Sequence, residues 1–123
     1  MFKYYNANPK GLHVHDCTVR AISLATGRSW DETFDELCNF AQLKCVMPDD
    51  VKYIDEFLNK RFEKIYYCDR DCSVPIRNFI DSQRKGVYLI TMSGHITCCI
   101  DGCIYDTFDP SDRFIWGIYE VRR

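Results

Sequence analysis

The sequence predicts an α+β fold in which N-terminal helices pack on a C-terminal antiparallel sheet. Before about residue 86, apolar residues recur mainly at helical spacing, whereas the remainder alternates short β-branched and aromatic runs with turn residues. A chain of 123 residues without repeats or Gly/Pro/Ser-rich linkers fits one domain, 1–123, that can bury one hydrophobic core.

The N-terminal segment is expected to be an extended or looped arm over residues 1–16. A helix is predicted to begin at Cys17 and to end at Gly27, a residue typical of helix C-caps. Asp16 precedes this helix and is a candidate N-cap. The breaker residues of the arm are Asn6, Asn8, Pro9 and Gly11.

Three further helices are predicted from their start signals. Ser29 followed by Glu32 three positions later matches a capping box at the start of the second helix. The third helix is predicted to start near residues 48–50, where valine and isoleucine residues begin to follow helical spacing. Pro75 opens a short fourth helix that is expected to end at Gly86.

The strands are predicted from short β-prone runs separated by turns. Asp101-Gly102 is a strong signal for a two-residue hairpin between two of them. The last strands are expected to form an antiparallel meander. The predicted strands are 65–67, 87–91, 95–100, 103–108 and 114–121.

Composition and charge exclude several classes of function. The formal net charge is −2 and the basic residues are spread along the chain, so nucleic-acid binding is not expected. No apolar run approaches the ~20 residues that span a bilayer, so no membrane partner is expected. The N-terminus lacks the pattern of a signal peptide, which favours a cytoplasmic protein.

The eight cysteines are expected to be reduced thiols in that compartment. A structural zinc site is disfavoured because no Cys-x-x-Cys pair is present. Cys98 and Cys99 are neighbours in a predicted strand, so their side chains point to opposite faces. No metal or cofactor is therefore expected.

Cys17 is the best candidate nucleophile. A cysteine reacts as its thiolate, and a helix N-terminus or a nearby imidazolium lowers its pKa. Cys17 is predicted in the first turn of a helix, whereas Cys72, the weaker rival, precedes a short helix whose start is less defined.

His95 is the best candidate base among the three histidines. His13 and His15 are near Cys17 in the chain, but they lie in the looped arm, which holds precise geometry poorly. His95 opens a predicted strand, and a strand end can hold an imidazole over a helix N-terminus.

Asp106 is the candidate that orients the base. If residues 101 and 102 are the turn centres, position 95 pairs with 108 and position 96 with 107 across the hairpin. Asp106 is then one diagonal step from His95, within side-chain reach. Asp109 is the alternative.

Three other side chains are given structural roles. Trp30 and Trp116 are expected in the core rather than as substrate platforms. Arg20, three residues after Cys17, is expected to pair with an acidic group such as Asp16.

The chain resembles small phage and prophage papain-like proteins, a group similar to bacteriocin-processing peptidases. In these proteins the nucleophile lies in an Asp-Cys-x-x-Arg-Ala segment, which residues 16–21 match. The segments 25–30, 86–89, 93–95, 101–102 and 104–107 also follow the pattern, so that the resemblance extends from residue 6 to residue 118. It implies a papain-like cysteine proteinase fold and a catalytic triad of Cys17, His95 and Asp106.

The resemblance implies a cysteine peptidase or isopeptidase that acts on a peptide or protein through an acyl-enzyme, in the host cytoplasm if the protein is phage-encoded. Papain-like enzymes also carry an oxyanion-hole Gln before the nucleophile, but none precedes Cys17 here. Asn8 or Asn6 is the candidate replacement, together with the backbone N–H of Cys17. The alternatives are a papain-like binding module without turnover that blocks a host factor, and an acyltransferase or deamidase that uses the same triad.

Overall fold

The computed structural model describes residues 1–123 and has a mixed α+β architecture of four helices and one six-stranded sheet. The helices are α1 (Cys17–Thr26), α2 (Trp30–Lys44), α3 (Val51–Arg61) and α4 (Ile76–Asp81). The strands are β1 (Phe2–Tyr4), β2 (Glu63–Tyr67), β3 (Val87–Met92), β4 (His95–Ile100), β5 (Cys103–Asp106) and β6 (Gly117–Val121). The strand order is β1-β5-β4-β3-β6-β2.

The ends of the first three helices follow local sequence signals. Gly27 adopts the left-handed conformation, with φ of 74°, and closes α1. Ser29 and Glu32 form the predicted capping box of α2, and the Asp50 carboxylate caps α3. Asp16 occupies the N-cap position of α1, but its side chain makes no capping hydrogen bond.

The hairpin between β4 and β5 has the predicted register. Ile100 pairs with Cys103, so Asp101 and Gly102 are the turn residues. Both have positive φ, at 51° and 79°, as a tight hairpin turn of the primed type requires. This register places Asp106 near the level of His95.

The sheet departs from the predicted meander at both edges. Part of the N-terminal arm forms β1, which runs parallel to β5 and was not predicted as a strand. β6 pairs with β3 and β2 rather than following β5. Both pairings join distant parts of the chain, and local patterning carries no signal for them.

Several element boundaries also differ from the prediction. β2 begins at Glu63 rather than at residue 65, and β5 ends at Asp106 rather than at residue 108. α4 ends at Asp81, five residues before Gly86, and the segment between them forms a turn. β6 begins at Gly117 rather than at residue 114. Phe114 instead forms an isolated bridge with Pro75.

The sheet buries apolar side chains in two separate clusters. The first lies under α1, α2 and α3 and includes Leu37, Leu58 and Leu89. The second includes Ile76 of α4 and Ile90 of β3. Leu89 and Ile90 are neighbours in β3, so the alternation of a strand directs them to opposite clusters. The structure therefore has two cores rather than the single one expected.

The expectation that all cysteines are reduced is wrong for one pair. Cys68 and Cys72 form a disulfide in the loop after β2, with their Cα atoms 5.7 Å apart. The loop turns back on itself within four residues, which brings both side chains together. The other six cysteines are free thiols. No helix combines the length and apolar character that a membrane span needs.

Candidate active site

The packing of α1 on β4 brings Cys17 and His95 together. Cys17 is the first residue of α1 and His95 is the first residue of β4. Both side chains line the same cleft, and the nearby His95 imidazole lowers the pKa of the Cys17 thiol, as do the backbone of Ile96 and the Thr18 hydroxyl. Both predicted residues therefore belong to one site.

Asp106 is the third side chain of this group. His95 Nε2 lies 2.7 Å from Asp106 Oδ2. A carboxylate can only accept, so Nε2 carries the hydrogen and Nδ1 is left for the Cys17 sulfur. The His95 and Asp106 side chains are 8% and 3% exposed, which shields their contact from water. The hairpin places these residues as the sequence predicts.

Burial and hydrogen bonding shift the pKa values of all three groups. Burial alone would raise the pKa of the Cys17 thiol, but the hydrogen bond and charge of His95 lower it below its ordinary value. Burial opposes the charged form of His95, yet the contacts with Asp106 and Cys17 raise the His95 pKa to about 9. The Asp106 pKa is lowered because its hydrogen bonds with the His95 ring and the Thr107 N–H, together with the charge of His95 and the nearby Thr97 hydroxyl, outweigh the effect of burial. The shifts of Cys17 and His95 both favour the charged forms, a thiolate beside an imidazolium.

Arg20 links α1 to Asp106, whose carboxylate holds the His95 ring. Its Nε donates to Asp16 Oδ1 at 2.8 Å, the predicted pair. Its Nη1 also donates to Asp106 Oδ1 at 3.2 Å and to Thr107 Oγ1 at 3.3 Å. The contact with Asp106 was not predicted, because it joins positions 86 residues apart. A planar guanidinium can bridge two carboxylates in this way.

Asp16 is the centre of a second set of hydrogen bonds. Its Oδ2 accepts from Trp30 Nε1 at 3.0 Å and from Asn8 Nδ2 at 3.2 Å. Together with Arg20 these donors surround a carboxylate that is 6% exposed. This explains why Asp16 does not cap α1: its oxygens are used to join the arm, α1 and α2.

The side chain of Asn8, the candidate oxyanion donor, makes its hydrogen bonds within the N-terminal arm. Besides the bond from Nδ2 to Asp16, its Oδ1 accepts from the backbone N–H groups of Lys10 and Leu12. Asn8 is not among the residues that line the cleft at Cys17. Its assignment as a donor to an oxyanion stays a prediction. The backbone N–H of Cys17 lies at the open end of α1, where no intrahelical acceptor exists for it.

A cleft of about 210 Å³ opens onto Cys17 and His95 between the helical part and the sheet. Its walls are lined by residues of α1, α3, β3 and β4, by the end of the arm and by the segment before β6. The remaining lining residues are His15, Thr18, Asp49, Val51, Ile54, Asp55, Thr91, Met92, Gly94, Ile96 and Trp116.

The other residues considered from the sequence lie as follows. His15 is at the cleft, whereas His13 lines a neighbouring depression. Cys72 is half of the disulfide and is not a free thiol. Asp109 accepts from the backbone N–H of Ser111 in the turn after β5.

Trp116 corrects the expectation that both tryptophans belong to the core. Its side chain is 41% exposed and lines the cleft. The short segment before β6 is held at the sheet by the bond from Trp116 N to Thr91 O, which leaves the indole outside the packed layer. Trp30 is partly buried against the helical core, as expected.

The site offers no obvious place for a metal ion, since no three His, Cys, Asp or Glu side chains are grouped to hold one. Its chemistry would come from the thiol, the imidazole and the carboxylate. Comparisons with protein families, with curated proteins and with solved structures find no match to this chain.

Proposed function

We propose that the protein is a papain-like cysteine hydrolase that cleaves a peptide or isopeptide bond through an acyl-enzyme. The observation that carries the proposal is that the His95 ring hydrogen-bonds with the Asp106 carboxylate and lines a cleft together with Cys17, whose thiol pKa it lowers. Nucleophile, base and orienting group in hydrogen-bond sequence are typical of acyl transfer. The resemblance of residues 16–21 to phage and prophage papain-like proteins supports the same conclusion.

The first half-reaction would acylate Cys17. The thiolate attacks the substrate carbonyl carbon, and the carbonyl π electrons move onto oxygen. When the tetrahedral intermediate collapses, the C–N bond breaks and the His95 imidazolium gives its Nδ1 proton to the leaving amine. The products of this step are a free amine and a thioester on Cys17.

The second half-reaction would release the acid. His95, now neutral, takes a proton from water as the water oxygen attacks the thioester carbonyl. The C–S bond then breaks, and Cys17 leaves as the thiolate that begins the next cycle. Throughout both steps Asp106 keeps the hydrogen on Nε2 and stabilises the imidazolium when it forms.

Site-resolved alkylation tests the proposal. We expect iodoacetamide at pH 7 to label Cys17 at least tenfold faster than the exposed thiol of Cys45, because only Cys17 has an imidazole partner. His95→Ala should remove this advantage, and His13→Ala should leave it. Labelling of Cys17 no faster than Cys45 in the wild-type protein would show that the thiol is not activated.

A binding module without turnover is the second candidate. The observation that favours it is the position of Asn8, whose amide is engaged by Asp16 rather than lining the cleft. Loss of one oxyanion donor costs about 3–4 kcal/mol of transition-state stabilisation. A Cys17→Ala variant that retains the full biological effect of the protein would select this alternative, whereas loss of the effect would select the hydrolase.

A further inference from the structure

We infer that the cleft selects a substrate residue with a positive charge on an aliphatic stem, lysine or arginine, and that Asp49 and Asp55 are the residues that select it. The inference deepens the proposed function and rests on it, because it concerns the side chain bound beside Cys17 during acyl transfer. It follows from the charge of the cleft, from the apolar side chains that line it and from the absence of salt bridges to its two carboxylates.

Apart from its two histidines, the ionisable side chains that line the cleft are acidic or the Cys17 thiol. Asp49 and Asp55 line it, and no lysine or arginine does. A concave surface lined by charge of one sign concentrates its field on a bound group.

The two carboxylates have no cation of their own chain. Neither Asp49 nor Asp55 takes part in any of the salt bridges of the structure. Lys64 and Arg70 line the adjoining depression with Asp55, but neither forms a salt bridge with it. Lys64 instead lies over the rings of Tyr67 and Tyr119. Asp50, which is next to Asp49, is used as the cap of α3. Both lining carboxylates are therefore free to pair with a ligand.

Apolar side chains line the same cleft as Cys17 and these carboxylates. Ile54 and Met92 line the cleft, and the exposed Trp116 indole lies at it. No lysine or arginine of the chain covers the Trp116 ring. Lysine and arginine bury their methylene stems against such walls while the charged end stays near water, and an indole face attracts a cation. An acidic side chain would meet carboxylates of like charge.

Three peptidyl acyloxymethyl ketones that differ only in the side chain next to the reactive group test this inference. The side chains are lysine, its uncharged analogue norleucine, and glutamate. At low salt we expect Cys17 to be labelled about tenfold faster by the lysine probe than by the norleucine probe, and most slowly by the glutamate probe. In Asp49→Asn/Asp55→Asn the lysine advantage should fall to about twofold or less while norleucine labelling is kept, as charge pairing requires.

The matched control is Asp35→Asn/Asp81→Asn, which changes the net charge equally at exposed positions outside the cleft. It should keep the wild-type preference. Equal labelling by the lysine and glutamate probes, or an unchanged preference in Asp49→Asn/Asp55→Asn, would overturn the inference and leave the hydrolase proposal standing. Failure of all three probes to label Cys17, while iodoacetamide still labels it, would overturn the acyl-transfer proposal and this inference with it.

Discussion

At the scale of single residues, the site is a set of charges that depend on one another. His95 stays protonated to about pH 9 because Asp106 and Cys17 both favour its cation, despite burial. The same ion pair lowers the pKa of the thiol. Each member thus stabilises the charged form of its neighbour, and loss of one changes the titration of the others.

For the proposed hydrolysis, these shifts predict the pH profile. The value of kcat/KM should rise with pH as Cys17 ionises, at a pH below the ordinary value for a thiol. It should fall again near pH 9, where His95 loses the proton that, in the proposed mechanism, it gives to the leaving amine. A bell-shaped curve measured on any cleavable peptide checks this, and a profile that keeps rising beyond pH 10 would contradict the role of His95.

Replacement of Asp106 by Asn should move the alkaline limb of that profile. The hydrogen bond and charge of Asp106 raise the His95 pKa, so Asp106→Asn should shift the limb from about 9 toward lower pH. We also expect kcat to fall about 100-fold or more, since an amide does not stabilise the imidazolium or specify its tautomer. Asp109→Asn is the control at the alternative residue and should leave the limb in place.

Arg20→Lys tests whether geometry matters as well as charge. A lysine ammonium cannot reproduce the bridge from Nε to Asp16 and from Nη1 to Asp106. We expect a loss of about 2–3 kcal/mol in the free energy of unfolding, because both carboxylates are buried and lose hydrogen bonds to a charged donor. Urea unfolding measures this loss. Arg28→Lys, in a half-exposed ion pair, should change stability by less than about 1 kcal/mol.

At the scale of elements, helix ends and the β4–β5 turn decide where the site residues lie. α1 holds Cys17 at its N-terminus, where free backbone N–H groups favour a negative charge. The two-residue turn sets the register that brings Asp106 to His95. Both devices depend on a few consecutive residues, so they are visible in the sequence.

Removal of the α2 cap should lower stability without changing the chemistry of the site. Ser29→Ala removes the hydroxyl that accepts from the Glu32 N–H, at a cost of about 1 kcal/mol. Thermal unfolding measures the loss, and the rate of Cys17 alkylation in the folded protein should be unchanged. Ser73→Ala is the control, since that serine is exposed and makes no side-chain hydrogen bond. An equal loss in both variants would rule out the capping explanation.

At the scale of the whole molecule, the sheet is the shared wall of two apolar cores. The helical core contains Leu89 and the opposite core contains Ile90, each fully buried. α1 packs on the sheet through the first core, and the cleft lies at the edge of that contact. The distance between the thiol and the imidazole is therefore kept by packing between layers.

Leu89→Ala should weaken that packing. A leucine buried at 0% exposure leaves a cavity when truncated, so the free energy of unfolding should fall by about 2–5 kcal/mol. Leu43→Ala, at a residue 83% exposed, should change it by less than about 0.5 kcal/mol. Denaturant unfolding distinguishes them, and similar losses in both variants would contradict the assignment of the core.

The sequence by itself determined those features of the fold that depend on neighbouring residues. The capping box of α2, the Asp50 cap of α3, the Gly27 end of α1 and the register of the β4–β5 hairpin are all specified by interactions within a few positions. The geometry of His95 and Asp106 follows from that register, which is why their pairing could be predicted.

The tertiary structure decided what depends on distant segments. The parallel pairing of β1, the return of β6 to β3, the bridge from Arg20 to Asp106 and the exposure of Trp116 all join or separate residues far apart in the chain. Such contacts form only when burial of apolar surface offsets the entropy of closing long loops, and local patterns carry little information about that balance.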